Sequence, residues 1–394
     1  MRLIYIANMR VPTEKAHGLQ IFQNAEAFAQ TGAHVSLWAA RRVNTPEMNA
    51  IRDPFEHYGV ARNFKLRLLP TIDLLWRVPG RDDGMARIVF AVQWLTFTLA
   101  VLISALFTRA EVFYTRDPLI LCVCSMIKPR RALAYEPHTA STGRMGKMLQ
   151  RMALRRAGAV FPVTRKLADD LITEGANPDR LWVAPDGVQA GRFANLPDRQ
   201  SARESLNWPP DAFIVGYVGR LHTMNMDKGV SAVLEAVLQV PGASLALVGG
   251  PEESANALRE EWLRRGGAAE QFLMAGQVPP AQVPVYLRAF DVCTMMLPFT
   301  PHFAYYASPL KLFEYMAAGR AIVASDFPAY REIVTDGESA LLVAPGDPAV
   351  LAEAIRRLQA DPGLRRRLGI NAQREAMTRY TWSARAQLIM KYLA

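Results

Sequence analysis

Residues Ser308 to Gly319, SPLKLFEYMAAG, run straight into RAIVASD at Arg320 to Asp326. The stretch reads as a turn, a helix and a buried strand in immediate succession. Ser308 fits an N-cap and Pro309 the first helical turn, where a missing N–H costs nothing. Gly319 fits the helix end, and the apolar run Ala321 to Ala324 suits the inside of a parallel sheet. The start of such a helix offers free N–H groups and the positive end of its dipole, where phosphates bind. Lys311 and Glu314 add a cation and a carboxylate within the first two turns.

Outward from this stretch, strands alternate with helices twice over. Strands are predicted at Leu3–Ala7, His34–Ala39, Lys65–Leu69, Val112–Thr115, Leu133–Glu136, Val160–Val163 and Trp182–Ala184. Helical patterns such as Leu19–Thr31 and Arg144–Ala157 lie between them. A second series follows at Phe213–Gly219, Leu245–Gly249, Phe272–Ala275, Val292–Met296, Ile322–Ser325 and Ala340–Val343. This pattern predicts an α/β protein of two Rossmann-like, doubly wound domains. The expected division is a first domain at 1–187, a polar linker at 188–209, a second domain at 210–375 and a C-terminal helix at 376–394 that crosses back to the first.

The 394 residues are too many for one ordinary domain. Hydrophobic content of 51% against 21% charged supports large cores and argues against extended disorder. Three cysteines, Cys122, Cys124 and Cys293, form no disulfide framework and no CxxC pair, which fits a cytoplasmic, reducing setting. The opening RLIYIAN has a strand-length apolar run and not the core of a signal peptide. The net charge of +10 is concentrated early: residues 1–190 hold 25 Lys and Arg against 16 Asp and Glu. No nucleic-acid-binding motif accompanies that charge, so no nucleic-acid partner is expected. An anionic membrane surface or a phosphate-bearing acceptor accounts for it as well as a plain solvated face does.

Two segments bear on membranes. Ile88 to Phe107 is 20 residues without a charge, long enough to span a bilayer. Gln93, Thr96, Thr98 and Ser104 interrupt it, and it lies between strands of one sheet. It is therefore expected as a long buried helix of the first domain, with one face open to lipid contact. Arg144, Lys147, Arg151 and Arg155 recur at helical spacing and form a basic stripe. A basic amphipathic helix at 144–156 is expected to touch an anionic membrane, and peripheral attachment to the inner face of the plasma membrane follows. An ordinary surface helix is the competing reading.

Cations gather at strand ends in the second half. Val218-Gly219-Arg220 closes one predicted strand, and Lys228 follows in Asp227-Lys228-Gly229. Ligands of open α/β sheets bind at that carboxyl edge. Arg as a planar fork and Lys as a point charge can together neutralise a diphosphate.

These segments carry a family resemblance. GYVGRL, DKG, AGQVP, SPLKLFEYMAAGRAIVASD and REIVTDGESALLVAPGD resemble the donor-binding half of retaining GT-B glycosyltransferases of family GT4. In the first half, IANMRVPTEKAHGLQIFQNAEAFAQTGAHVSLW, YTRDP with Asp117, Glu136-Pro137-His138 and APDGV fall in the same family order. The resemblance implies a GT-B fold with two domains facing a central cleft, the first binding acceptor and the second binding donor. It implies that Glu314 accepts hydrogen bonds from the nucleotide ribose, and that Arg220 and Lys228 stabilise the departing diphosphate. The turn around Ser308, Leu310 and Lys311 would meet phosphate oxygens through its backbone. Gln277 and Val278 would touch the base, and Gly18 would let the first domain approach the diphosphate. His138 is the catalytic candidate of the first domain, with His17 a weaker one.

Two departures from the family pattern stand out. Tyr306 occupies the position where the family often has the first of two glutamates. The loop Leu221 to Asp227, with His222, Thr223 and Asn225, is longer than usual between Arg220 and Lys228. The expected activity is transfer of a sugar, with retention, from a UDP- or GDP-linked donor to a glycan or lipid-linked saccharide. Cell-surface polysaccharide or glycolipid synthesis is the expected setting. No metal or other cofactor is expected, since Arg and Lys supply the charge that Mg²⁺ would otherwise bring. A sugar-nucleotide epimerase and a non-catalytic sugar-nucleotide or glycan-binding module are the alternatives.

Overall fold

The structure, a computed structural model, describes residues 1–78, 83–223 and 226–393. Asn225, one of the loop candidates, lies outside them. The chain forms two compact units, Met1–Pro185 with Trp382–Ala394, and Asp186–Thr381.

The first unit holds six strands: β1 (Arg2–Ala7), β2 (His34–Ala40), β3 (Lys65–Leu69), β4 (Val112–Thr115), β5 (Leu133–Tyr135) and β6 (Ala159–Val160). They make one parallel sheet in the order β3-β2-β1-β4-β5-β6. The second unit repeats the plan with β7 (Phe213–Val218), a short hairpin β8 (His222–Thr223) and β9 (Met226–Asp227), then β10 (Ala243–Val248), β11 (Phe272–Met274), β12 (Val292–Met295), β13 (Ala321–Ser325) and β14 (Leu341–Val343). Its sheet runs β11-β10-β7-β12-β13-β14, again parallel. In each sheet the strand order reverses once, between β1 and β4 and between β7 and β12. Open α/β sheets bind ligands at such switch points.

Strand composition explains why helices cover both faces. In the second unit, Ile214, Val218, Ala246, Val248, Ile322 and Ala324 enter one buried apolar cluster. Their neighbours Val215, Tyr217, Leu245, Leu247, Ala321 and Val323 enter another. Side chains alternate across a strand, so continuous apolar runs fill two cores and need a helical layer on each side.

Three expectations change. Residues 188–209 are not a linker but belong to the second unit. Arg203, in the helix Arg199–Ser205, is fully buried. Its guanidinium donates to Ala289 O (2.8 Å), Pro210 O (2.7 Å), Ala212 O (2.8 Å) and Asp291 Oδ2 (2.7 Å). Those bonds hold the polar segment against the sheet, a fixture that polarity alone concealed. The predicted strand Trp182–Ala184 is reduced to a single bridge, Leu181 to Val160. The apolar segment 88–107 lies in the helix Gly84–Leu106, whose most apolar window is only 28% buried. Gln93, Phe97, Val101 and Ala105 face the unit, while Ile88, Leu95, Leu99, Ile103 and Leu106 are more than half exposed. The helix is thus a core helix on one face only. The C-terminal helix Trp382–Leu393 packs in the first unit, where Trp382 Nε1 donates to Gln23 Oε1 at 2.7 Å. All three cysteines are free and buried.

Breaking a buried ion pair from one side costs about 3–5 kcal/mol, and Arg199 Nη1, 2.8 Å from Asp291 Oδ1, offsets part of that cost here. Arg203→Met should therefore lower the urea midpoint of the second unit by a corresponding amount. Arg331→Met, which removes the exposed pair with Asp326, should leave that midpoint unchanged within error.

Candidate active site

The helix Leu310–Ala317 is the centre of the second unit's site. Its start differs from expectation. Ser308 is not the N-cap: its Oγ accepts the Asp186 backbone N–H at 2.8 Å, tying the turn to Asp186-Gly187. Pro309 takes the cap position and supplies no side-chain acceptor. The first N–H groups of the helix therefore keep their donor capacity and their share of the dipole. One turn further, the Tyr315 hydroxyl accepts the Val218 N–H at 3.0 Å and lies 3.4 Å from Val218 O. That clasp fixes the helix to the carboxyl end of β7.

Lys311 then runs across Gly219. A Cβ at Gly219 would fall 1.8 Å from Lys311 Nζ and 2.2 Å from its Cε, and Gly219 has φ +139°. Only glycine meets both demands. Lys228 reaches the same place. Its N–H donates to Leu221 O at 3.0 Å, closing the hairpin loop. Its ammonium lies 4.2 Å from the centre of the Phe303 ring. Burial, and after it the Lys311 ammonium, push the Lys228 pKa down. The two ammonium groups are close enough for each charge to act on the other's surroundings, with Glu314 on the Lys311 side. Burial also depresses Lys311, with Glu314 opposing. Burial raises the Glu314 carboxyl, with Lys311 and Arg192 opposing.

The remaining donor-side candidates lie along the same sheet edge. Arg220 is exposed, and its carbonyl accepts the Tyr217 hydroxyl at 2.8 Å. Gln277 follows β11 and lies against Gly250, whose added Cβ would come 3.1 Å from Gln277 Cγ. Val278 packs on the core. Tyr306 closes the π-helical turn His302–Tyr306, which also carries the Phe303 ring under Lys228. Such wide turns often occur at functional sites. Leu310 is partly exposed at the helix start. Among the described residues, no group of three or more His, Cys, Asp or Glu side chains is arranged to hold a metal ion.

His138 and Gly18 belong to the first unit. His138 follows β5, and its Nε2 lies 2.6 Å from Glu136 Oε1. Glu136 is fully buried. Burial alone would raise its carboxyl, but the Arg116 and Arg385 guanidinia and the His138 hydrogen bond hold it well below the usual range. Arg116 Nη2 is at 2.7 Å and Arg385 Nη2 at 3.0 Å, and the Tyr114 hydroxyl donates to Oε2. The result is an imidazole oriented by an ionised carboxylate, a recurrent arrangement for groups that move protons. Gly18 sits in the first turn of the helix Ala16–Gln30. A Cβ there would come 2.5 Å from Thr13 Cγ2 and from the Tyr58 hydroxyl, so packing within the unit already requires glycine. His17 beside it is exposed. Asp117 caps the helix Pro118–Cys124, accepting Leu119 N–H at 2.9 Å.

Sequence reasoning missed Arg192, Phe303, Arg116 and Arg385. None sits in a stretch with recognisable spacing. Arg116 alone gave a signal, as the neighbour of Asp117 in YTRDP.

Two Rossmann-like units of this strand order make up the GT-B architecture. The family described as Glycosyl transferases group 1 matches residues 212–361. A D-inositol 3-phosphate glycosyltransferase of Nocardia farcinica is 30% identical over 406 residues, covering 96% of this chain and 85% of that protein. The chain belongs to the group 1 glycosyl transferases, a GT4-like family. A second D-inositol 3-phosphate glycosyltransferase, from Acidothermus cellulolyticus, is 36% identical over 216 residues, covering 53% of this chain and 46% of that protein. Several curated relatives are thus matched over about half their length. Anabaena HepE, solved in complex with UDP, superposes with a TM-score of 0.71 at 18% identity, covering 100% of this chain and 99% of that one.

Glu136 makes a pH-dependent contribution to stability. Its folded pKa is depressed, so the contribution is present above the unfolded carboxylate pKa and is lost as pH falls through the folded value. Glu136→Gln should lower the melting temperature at pH 7. The gap to the unmodified protein should narrow as pH drops below about 4, the unfolded Glu value. Thermal unfolding across a pH series measures it.

Proposed function

We propose that the second unit binds a nucleotide-sugar donor, UDP- or GDP-linked, and that the sugar passes with retention to a glycan or lipid-linked saccharide. The observation that carries this reading is the convergence of Lys228 and Lys311 beside the uncapped helix start at Leu310. Two partly buried ammonium groups that act on one another are matched by a diphosphate. The Glu314 carboxyl group offers oxygens to a vicinal diol such as ribose. UDP in HepE supports a uridine donor, and the inositol phosphate in the relatives' names supports an acceptor that is a phosphorylated polyol or its lipid conjugate.

In this reading the bond from the anomeric carbon to the diphosphate oxygen breaks, and a bond to the acceptor hydroxyl oxygen forms on the same face. The acceptor proton passes to the departing diphosphate oxygen. Lys228, Lys311 and the exposed Arg220 hold the charge that develops there, and His138 orients the sugar or the acceptor. Arg and Lys perform this neutralisation without a metal ion. Tyr306, in place of a glutamate, offers one hydroxyl or a ring face to the sugar.

Glu314→Ala should nearly abolish transfer with the fold intact by circular dichroism. Lys228→Gln should lower the rate about 10²–10³-fold, as for other groups that stabilise developing charge. A thermal-shift screen of nucleoside diphosphates and their sugar conjugates identifies the donor, because a ligand specific to the folded state raises the melting temperature. Full transfer by Glu314→Ala, or no shift with any nucleotide, would overturn the assignment.

The first unit supports a membrane location, peripheral and on the cytoplasmic face. The outer stripe Ile88, Leu95, Leu99, Ile103 and Leu106 is exposed along a helix whose inner face is packed. The helix Pro118–Cys124 packs between it and the basic helix Arg144–Arg156. On the basic helix, Met145, Met148 and Met152 are exposed together with Arg144, Lys147, Arg151 and Arg155. Glu174 pairs with Lys147 and Arg151, which moderates the charge. Apolar side chains beside cations suit an anionic lipid surface. Leu95→Asn with Leu99→Asn, or Gln at the four basic positions, should reduce flotation with vesicles containing phosphatidylglycerol. Equal flotation of all forms would reject the surface.

A further inference from the structure

The two oxygens of Glu136 have different neighbours. Oε1 meets Arg116 Nη2 at 2.7 Å and His138 Nε2 at 2.6 Å. Oε2 meets Arg385 Nη2 at 3.0 Å, Asn24 Nδ2 at 3.4 Å and the Tyr114 hydroxyl. Arg385 comes from the far end of the sequence, on the C-terminal helix Trp382–Leu393. Its side chain is 2% exposed. Nη1 donates to Asn24 Oδ1 at 2.9 Å, and Nε reaches the carbonyls of Ala184 (3.3 Å) and Pro185 (3.1 Å). A guanidinium held on three sides is a rigid fork, and its remaining edge is given to the carboxylate.

We propose that Arg385 is a positioning residue for His138. Acting through Oε2, it keeps Glu136 ionised and its other oxygen aimed at the imidazole. The C-terminal helix is then part of the first unit's chemistry and not only a brace. This rests on the reading of His138 as the group that meets the sugar or acceptor.

The physical argument concerns what remains when Arg385 is removed. The groups facing Glu136 are Arg116 and Tyr114 from the β4 region, Tyr5 from β1, Asn24 from the helix Ala16–Gln30, His138, and Arg385. Without Arg385, one guanidinium must offset the burial of a carboxylate that is wholly out of water. Burial then gains, and the carboxyl takes up a proton at higher pH. A protonated carboxyl is a poorer acceptor, and it no longer fixes the imidazole ring.

The test is proton–carbon NMR of the full chain labelled at histidine Cε1, with His138→Gln assigning the signal among the six histidines. In Arg385→Gln the midpoint of the His138 titration should differ from that of the unmodified protein by about one pH unit or more, because the charge state and hold of its carboxylate partner change. Arg385→Lys, which restores the charge, should fall between the two and provides the measurement if Arg385→Gln melts too low. A His138 signal with the same titration in both folded variants would overturn the proposal. His138→Gln is also assayed for nucleotide release from UDP-glucose and GDP-mannose. Normal release with a moved inflection would overturn the chemical role of His138 while supporting the positioning of its ring.

Discussion

The second unit depends on one contact, the Tyr315 hydroxyl closed on the backbone of Val218. It sets the depth and rotation of the helix Leu310–Ala317 against the end of β7. Lys311, one turn earlier, passes over Gly219, where an added Cβ would meet its ammonium end. Glu314 precedes the clasp by one residue and shares its fixity. A cation and a carboxylate thus lie on a helix that a buried tyrosine ties to the sheet.

The sequence carried the architecture well because parallel strands buried on two faces must be continuous apolar runs. The run Ala321 to Ala324 could be read directly, and its alternation between two cores follows from strand geometry. Amphipathic and polar segments were less legible. The segment 188–209 looks like a linker because its prolines and charges are real. Its attachment depends on one buried arginine, Arg203, whose acceptors include Ala289 O and Asp291, distant in sequence. The helix Gly84–Leu106 looked uniformly apolar, and no local pattern says that only one face would be covered.

Site residues divide along the same line. Lys228, Lys311 and Glu314 were visible because each sits at a strand-to-helix junction with a glycine nearby. Ser308 was visible too, but its role changed: a serine before Pro-Leu-Lys fits a cap, while tertiary structure uses its Oγ to hold Asp186. Gly18 shows the converse. It was singled out for a ligand's approach, and the structure supplies a packing reason in Thr13 and Tyr58 that needs no ligand. Arg192, Phe303 and Arg385 act through contacts remote in sequence, so periodicity and spacing could not flag them.

The two units handle buried charge in opposite ways. Around Glu136, two guanidinia, an imidazole and a hydroxyl surround one carboxylate. Such a network fixes geometry. Around Lys228 the balance is open. Its neighbours are an aromatic ring and another ammonium, and both burial and the like charge work against its proton. A nearby anion would offset both penalties, which is the electrostatic basis of the proposed diphosphate site. The first network suits the proposed orientation of His138, and the second suits the proposed binding of a diphosphate.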